Sequence, residues 1–239
     1  APLSEAQPAD VDLPVRPPVL CAGCPHRGAF YAAKQALRKM RARGVFSGDI
    51  GCYTLGNAAP LDAVDTCLCM GAGITMAQGL GIVEPDVRQI AFVGDSTFFA
   101  SGLTGIANAV YNQHDITVCV LDNSTTAMTG GQPHPGIGRT LMGEQSEPLS
   151  IEAALEALGV ACIEHANPHR FEESVSAVMC AVKHIGPSAV IFRAPCVNLV
   201  TPEAPVSIDA EGCTGCRKCI TSIGCPAIGF DGTKAYVDE

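Results

Sequence analysis

The sequence predicts an α/β protein built on an open parallel sheet, and three observations carry that prediction. Apolar, β-branched runs without polar alternation recur at 89–93, 116–121, 160–163 and 189–192, as in parallel strands covered on both faces. Segments of helical spacing lie between them, at about 102–112, 151–158 and 169–185, and such alternation implies right-handed crossovers. Two of the runs lead into polar residues, Gly94-Asp95-Ser96 and Asn123. In parallel strands these gather at the carboxyl edge, where open α/β folds bind ligands.

Taken in order, residues 1–18 hold five prolines and no periodic apolar face, which reads as a linker or tail. Pro25 suits the first turn of a helix that continues over 27–42 with Phe30, Leu37 and Met40 on one stripe. Ser150 is the expected N-cap and Gly159 the expected C-cap of the 151–158 helix. After Arg193 the composition changes, and 197–206 reads as a second linker. In the terminal stretch Asp231-Gly232 suggests a hairpin turn. The expected organisation is a tail (1–18), a main α/β domain (19–198) and a small terminal segment (199–239). That segment is too short to hold itself without a staple, and a metal centre would supply one.

Composition narrows the classes. The 239 residues are 47% hydrophobic and 16% charged, which excludes a disordered chain. No apolar run reaches the roughly 18–20 residues of a spanning helix, so a membrane protein is not expected. A net charge of −9 argues against a nucleic-acid surface. The thirteen cysteines are an odd number, so they cannot all pair within the chain. No secretory leader is evident. Their grouping suits thiolate ligands in a reducing cytoplasm better than a disulfide scaffold.

Two sites follow from residue chemistry. Asp95 and, after 26 intervening residues beyond Ser96, Asn123 offer a carboxylate and an amide oxygen. These are hard donors suited to Mg²⁺, which borrows phosphate oxygens for the rest of its shell. Gly94 allows close backbone approach, and a helix expected to start near Gly102 would aim its N-terminus at an anion. Near the C-terminus, Cys213, Cys216 and Cys219 stand at two-residue intervals, followed five residues later by Cys225-Pro226. This is an iron–sulfur pattern more than a zinc one. Cys21 and Cys24 form a CxxC at a helix start, a setting that favours thiolates. The other cysteines, Cys67, Cys69, Cys119, Cys162 and Cys180, are read as structural. His134, between two prolines, is read as a surface loop histidine.

The Gly94-Asp95-Ser96…Asn123 pattern resembles the thiamine diphosphate motif. The stretch Leu121-Asp-Asn-Ser-Thr-Thr-Ala-Met-Thr-Gly-Gly-Gln-Pro-His-Pro135 resembles the 2-oxoacid:ferredoxin oxidoreductases, and within them the indolepyruvate-type large subunits. Cys21-Ala-Gly-Cys-Pro-His-Arg27, Gly48-Asp-Ile-Gly-Cys-Tyr-Thr-Leu55 and Asp65-Thr-Cys-Leu-Cys-Met-Gly-Ala72 are similar to that family too. The resemblance implies a thiamine-diphosphate-binding fold with a small, incomplete ferredoxin-like segment after it. It implies that Asp95 and Asn123 hold Mg²⁺ by side chain and Thr125 by its carbonyl. Ser96, Thr97, Ala127 and Met128 would then sit on the cofactor, with Ile50, Gly51, Tyr53, Met70 and Gly71 completing the pocket beside Gly94. It further implies a [4Fe–4S] cluster held by Cys21, Cys24, Cys52 and Cys196.

Two departures matter. Short-acid relatives carry His-Gly-Arg where this chain has Met70-Gly71-Ala72, which points to a bulky aryl 2-oxoacid. The terminal group has five residues before its Cys-Pro, where the bacterial ferredoxin run has three, so this chain is expected to end within that domain. The activity implied is oxidative decarboxylation of an indolepyruvate-like acid to acyl-CoA and CO₂, with electrons passed to ferredoxin. No catalytic residue is identified. The Glu that activates thiamine is expected from a pyrimidine-binding domain or partner subunit, within a hetero-oligomer. Two alternatives stay open: a non-oxidative thiamine decarboxylase and a bare iron–sulfur electron-transfer module.

Overall fold

A computed structural model describes residues 17–201 and 206–238; most of the expected tail and part of the second linker lie outside the described residues. Helix α1 (Pro25–Met40) has its proline in the first turn and ends at Arg41 in the left-handed conformation. Strands β1 (Gly44–Asp49) and β2 (Thr66–Leu68) and helix α2 (Ala72–Val83) follow. Strand β3 (Arg88–Gly94) runs straight into α3 (Asp95–Thr97), a π turn (Phe98–Gly102) and α4 (Leu103–Tyr111). Next come β4 (Ile116–Asp122), α5 (Ile151–Leu158), β5 (Cys162–Ala166), α6 (Phe171–Lys183) and β6 (Ser188–Arg193). The terminal segment carries α7 (Lys218–Thr221) and the strands β7 (Ile228–Phe230) and β8 (Ala235–Val237).

Six strands form one parallel sheet in the order β2-β1-β3-β4-β6-β5. Alternate residues of each central strand enter two separate cores. On one face Phe46, Phe92, Leu121 and Phe192 pack against α1 and α6. On the other, Val93, Val120 and Ile191 pack against α2, α4 and α5. Helices on both faces explain why β3, β4 and β6 read as unbroken apolar runs. The parallel sheet with helices on both faces is as expected, and so are the Ser150 cap, whose Oγ accepts from Ala153 N at 3.1 Å, and the left-handed Gly159.

Several details differ from the expectation. The sheet has two strands more than the four apolar runs. Strand β1 reads GVFSGD, too glycine-rich and polar to stand out, and β2 is three residues long. Helix α2 lacks a polar face to mark its period. Strand β5 starts at Cys162, because Val160 N still bonds Leu155 O and closes the preceding helix. The helix expected from Gly102 begins at Asp95 instead, with the π turn absorbed inside it. Its N-terminus therefore lies at the Asp95 turn.

Crossovers from β1 leave toward β2 on one side and, after α2, return to β3 on the other. The break in strand order falls between β1 and β3, and a crevice opens there beyond the carboxyl ends. The terminal hairpin pairs Phe230 with Ala235 across a turn closed by Asp231 N to Lys234 O at 3.1 Å. The Arg27 guanidinium reaches from α1 to Ile223 O at 2.9 Å and fixes this segment beside the Cys21 loop.

Candidate functional site

The crevice between β1 and β3 is a cleft of about 630 Å³ including its mouth, the size of a small-molecule site. Gly94, Asp95, Ser96 and Thr97 form one wall and Asn123 and Thr125 another. Asp95 is buried, and backbone groups hold it. Its Oδ1 accepts from Ser96 N at 2.7 Å, and its Oδ2 from Asn123 N at 3.0 Å and Ser124 N at 2.8 Å. A carboxylate accepts about four hydrogen bonds, so one Oδ1 lone pair is free for a cation. Asn123 Oδ1 accepts from Thr125 N at 3.2 Å, which leaves it a second acceptor position. Ser124 takes φ +64°, turning the chain so that Asn123 and Thr125 both come back to the cleft.

The opposite wall is made by β1 and the loop after β2. Adding a Cβ to Gly94 would bring it 2.8 Å from the Tyr53 ring, and to Gly51 2.3 Å. The ring has no room to yield, since Tyr53 OH donates to the buried Asp49 carboxylate and lies 3.3 Å from Thr97 Oγ1. The other Asp49 oxygen accepts from Gly71 N at 2.7 Å, so one carboxylate orients both Tyr53 and the Met70-Gly71 loop. Burial pushes the Asp49 carboxyl up despite these donors, and burial together with Asp49 pushes Tyr53 up. Gly71 takes φ +85°, and a side chain there would strike the Ser101 backbone. Ile50, Met70 and Met128 present half-exposed apolar side chains at the rim, with Ala127 beside Met128. Every expected pocket residue borders the cleft except Gly71, which shapes it from behind.

Three further residues belong to the site, and the sequence reading places none of them there. Asp49 had no signal beyond its place in a short polar strand. His26 is buried, its Nε2 3.4 Å from Asn123 Nδ2, and burial lowers its pKa to about 4. His134 corrects the expectation of a surface histidine. It is buried, stacks on Phe99 with centroids 6.2 Å apart, and its Nε2 lies 3.1 Å from Asp95 Oδ2. That contact is poorly aligned, and Nε2 has no hydrogen-bond partner of good geometry. The two prolines that suggested a surface loop instead fold the loop inward.

The thiols fall into the two expected groups with different outcomes. Cys52 lines the cleft. Burial raises the Cys24 thiol to about 11, with repulsion from Cys21 and Cys52 adding to it. Burial likewise raises Cys52, with repulsion from Cys196 and Cys21. The fold thus places Cys52 within electrostatic reach of each of Cys21, Cys24 and Cys196. Cys196 N bonds Asn123 O at 2.9 Å, which ties the thiol group to the Asp95–Asn123 wall. The terminal cysteines are spread over a segment turned by left-handed residues at Gly215, Arg217 and Gly224. Cys213 Sγ accepts from Ala235 N at 3.4 Å. Cys216 is exposed, its thiol lowered first by the Lys218 N–H, while Cys219 and Cys225 are half-buried.

A cleft at the strand-order break, with oxygen donors on one wall and a glycine cradle on the other, agrees with what comparison finds. The family model for the thiamine pyrophosphate enzyme C-terminal TPP binding domain matches residues 49–192. The chain belongs to that family: it carries a TPP-binding domain of the thiamine pyrophosphate enzymes. Among curated proteins it is 39% identical, over 248 residues, to indolepyruvate oxidoreductase subunit IorA of Archaeoglobus fulgidus, covering 99% of this chain and 39% of that one. It is 40% identical over 232 residues to the IorA subunit of Methanothermobacter marburgensis, covering 95% and 37%. The resemblance to the 2-oxoacid:ferredoxin oxidoreductases is therefore borne out, and the chain spans about two fifths of the length of these relatives. A solved 2-oxoglutarate:ferredoxin oxidoreductase from Magnetococcus marinus superposes with a TM-score of 0.65 at 20% identity, covering 81% of this chain and 69% of that one. At that identity the likeness is one of fold. Among the described residues no helix is long and apolar enough to cross a membrane.

Proposed function

We propose that this chain is the cofactor-binding part of a thiamine-dependent aryl-2-oxoacid:ferredoxin oxidoreductase of the indolepyruvate type. The observation that carries the reading is the adjacency of two donor sets. The hard oxygens of Asp95, Asn123 and Thr125 and the thiol of Cys52 face one cleft, and Cys21, Cys24 and Cys196 stand around Cys52. A non-oxidative decarboxylase would need no thiols there.

Thiamine diphosphate, when bound, supplies the electron sink for decarboxylating a 2-oxoacid. The residues of this chain bind and orient it. Asp95 and Asn123 side chains, with the Thr125 carbonyl, would hold a Mg²⁺ ion that neutralises the diphosphate. Gly94 and Gly51 make room for the Tyr53 ring, which would border the cofactor, and N–H groups of the Asp95 turn not bonded to Asp95 would serve the anion. Cys21, Cys24, Cys52 and Cys196 would hold a [4Fe–4S] cluster beside it. The raised thiols of Cys24 and Cys52 make these two poor nucleophiles at neutral pH, and binding a cationic cluster is what would make them thiolates. Met70 and Ile50 give the substrate side of the rim an apolar surface that suits an aryl group. The terminal cysteines Cys213, Cys216, Cys219 and Cys225 would belong to a second, ferredoxin-like centre that passes electrons outward. CoA, external ferredoxin and a pyrimidine-binding partner complete the assembly, which acts in the cytoplasm.

Calorimetric titration tests the central claim. Thiamine diphosphate binding should require Mg²⁺ and be lost in Asp95→Ala, while iron content stays unchanged. Cys52→Ser should reverse the pattern, lowering iron and sparing cofactor binding. Anaerobic protein without iron or sulfide would overturn the oxidative reading and favour a non-oxidative decarboxylase.

A further inference from the structure

At the edge of the sheet away from the cleft, Cys162 and Glu164 occupy alternate positions of β5 and so point to one face. Ile163 and His165 point to the other. Ile163 joins the core beneath α5, and His165 Nε2 lies 3.1 Å from Glu152 of that helix. The Cys162 face meets α6, which brings Cys180. One donor atom each of Cys162, Glu164 and Cys180 lies within 4.8 Å of the other two.

This mixture of donors has a defined chemistry. Two thiolates and a carboxylate are a soft-to-borderline set that favours zinc over magnesium or calcium. Tetrahedral zinc, with bonds of about 2.0–2.3 Å, sets its ligands roughly 3.5–3.8 Å apart, so closing the group asks for rotamer adjustments of about 1 Å. The scaffold is rigid: Cys162 and Glu164 are pinned by the ladder to Ser188 and Val190 of β6. Among the described residues, no hydrogen bond or ion pair commits any of the three to a group outside the trio. Exposure of Cys180 leaves an entry path and room for a water as fourth ligand.

We propose that Cys162, Glu164 and Cys180 form a three-ligand site for a zinc-class divalent ion, open to water at the fourth position, which staples edge strand β5 to helix α6. The site does not depend on the reading of the cofactor cleft, and it replaces the structural role expected for these two cysteines.

Zinc analysis of the full chain, purified anaerobically without chelator, tests it against Cys180→Ser and Glu164→Gln, both checked for fold by circular dichroism. Wild type should hold about one zinc per chain more than Cys180→Ser. Cobalt substitution should give a thiolate-to-cobalt charge-transfer band that Cys180→Ser loses and Glu164→Gln keeps. The zinc affinity of Glu164→Gln should fall by more than the roughly 10–100-fold typical of losing an outer-shell partner. Equal zinc contents in wild type and folded Cys180→Ser would overturn the site. So would a Cys162–Cys180 disulfide found by mass spectrometry in the anaerobic protein.

Discussion

Asp95 shows how much of the site depends on one side chain held by backbone. Three N–H groups converge on it, so its oxygens face the cleft in one orientation without any flexible partner. The same economy appears at Tyr53, whose ring is fixed by the Asp49 carboxylate below and is close-packed against Gly94. Because the ring cannot retreat, Gly94→Ala should cost about 1–3 kcal/mol of stability. It should also weaken thiamine diphosphate binding at least tenfold, by roughly the same free energy. Thermal melts and titration would check the two effects separately. Tyr53→Phe removes one donor from the buried Asp49 and should cost about 1–3 kcal/mol, read from denaturant midpoints. An unchanged midpoint would mean that Asp49 is satisfied by the Gly71 N–H alone.

At the scale of elements, the caps and turns are local and their effects should be local. Ser150→Ala deletes the bond from Ala153 N and should destabilise the protein by about 1 kcal/mol, seen as a lower melting temperature with cofactor affinity unchanged. In the terminal hairpin, Asp231 Oδ1 accepts from Thr233 N at 2.7 Å and Lys234 N at 2.8 Å. These donors hold its carboxyl below the usual range. A depressed acid stabilises the turn above its unfolded value and loses that contribution as pH falls through the folded one. Amide exchange at Thr233 and Lys234, corrected for intrinsic rates, should therefore lose protection as pH falls from about 4 toward 2. Asp231→Asn should flatten the dependence while the hairpin stays formed. Wild-type protection that is flat over this range would remove Asp231 from the account.

For the whole molecule, the proposed function makes the cleft one half of a site: its oxygen donors would serve the diphosphate end of the cofactor, and the thiols a neighbouring iron–sulfur cluster. No general base for the aminopyrimidine has been identified among the residues described around it. Under the proposed function the isolated chain should bind thiamine diphosphate with Mg²⁺ yet show no 2-oxoacid-dependent reduction of a viologen dye. Adding the pyrimidine-binding partner should restore turnover. Full-rate oxidation by the chain alone would sink this reading. The half-exposed apolar rim at Ile50, Met70 and Met128 is where such a partner would exclude water. Arg27 adds a link at the same scale: it bonds Leu20 O and Cys21 O on one side and Ile223 O on the other. One buried cation thus joins the two cysteine-bearing regions.

The sequence by itself determined the parallel character of the sheet, four of its six strands, its doubly covered faces and the donors Asp95 and Asn123 at its carboxyl edge. Burial on both sides writes β3, β4 and β6 as unbroken apolar runs, and the metal-type donors follow those strands directly in the chain. It could not show β1, β2 or α2, because short or glycine-rich elements owe their conformation to neighbours rather than to their own pattern. Only the tertiary structure decided that Asp49 supports Tyr53, that His134 turns inward onto Asp95, and that Cys162, Glu164 and Cys180 meet at one edge. Each of these is a contact between segments far apart in the chain, and no local period or propensity encodes such a distance. The chain order supplied the donors; the crossovers that carry β1 beside β3, and α6 over β5, brought them within reach of one another.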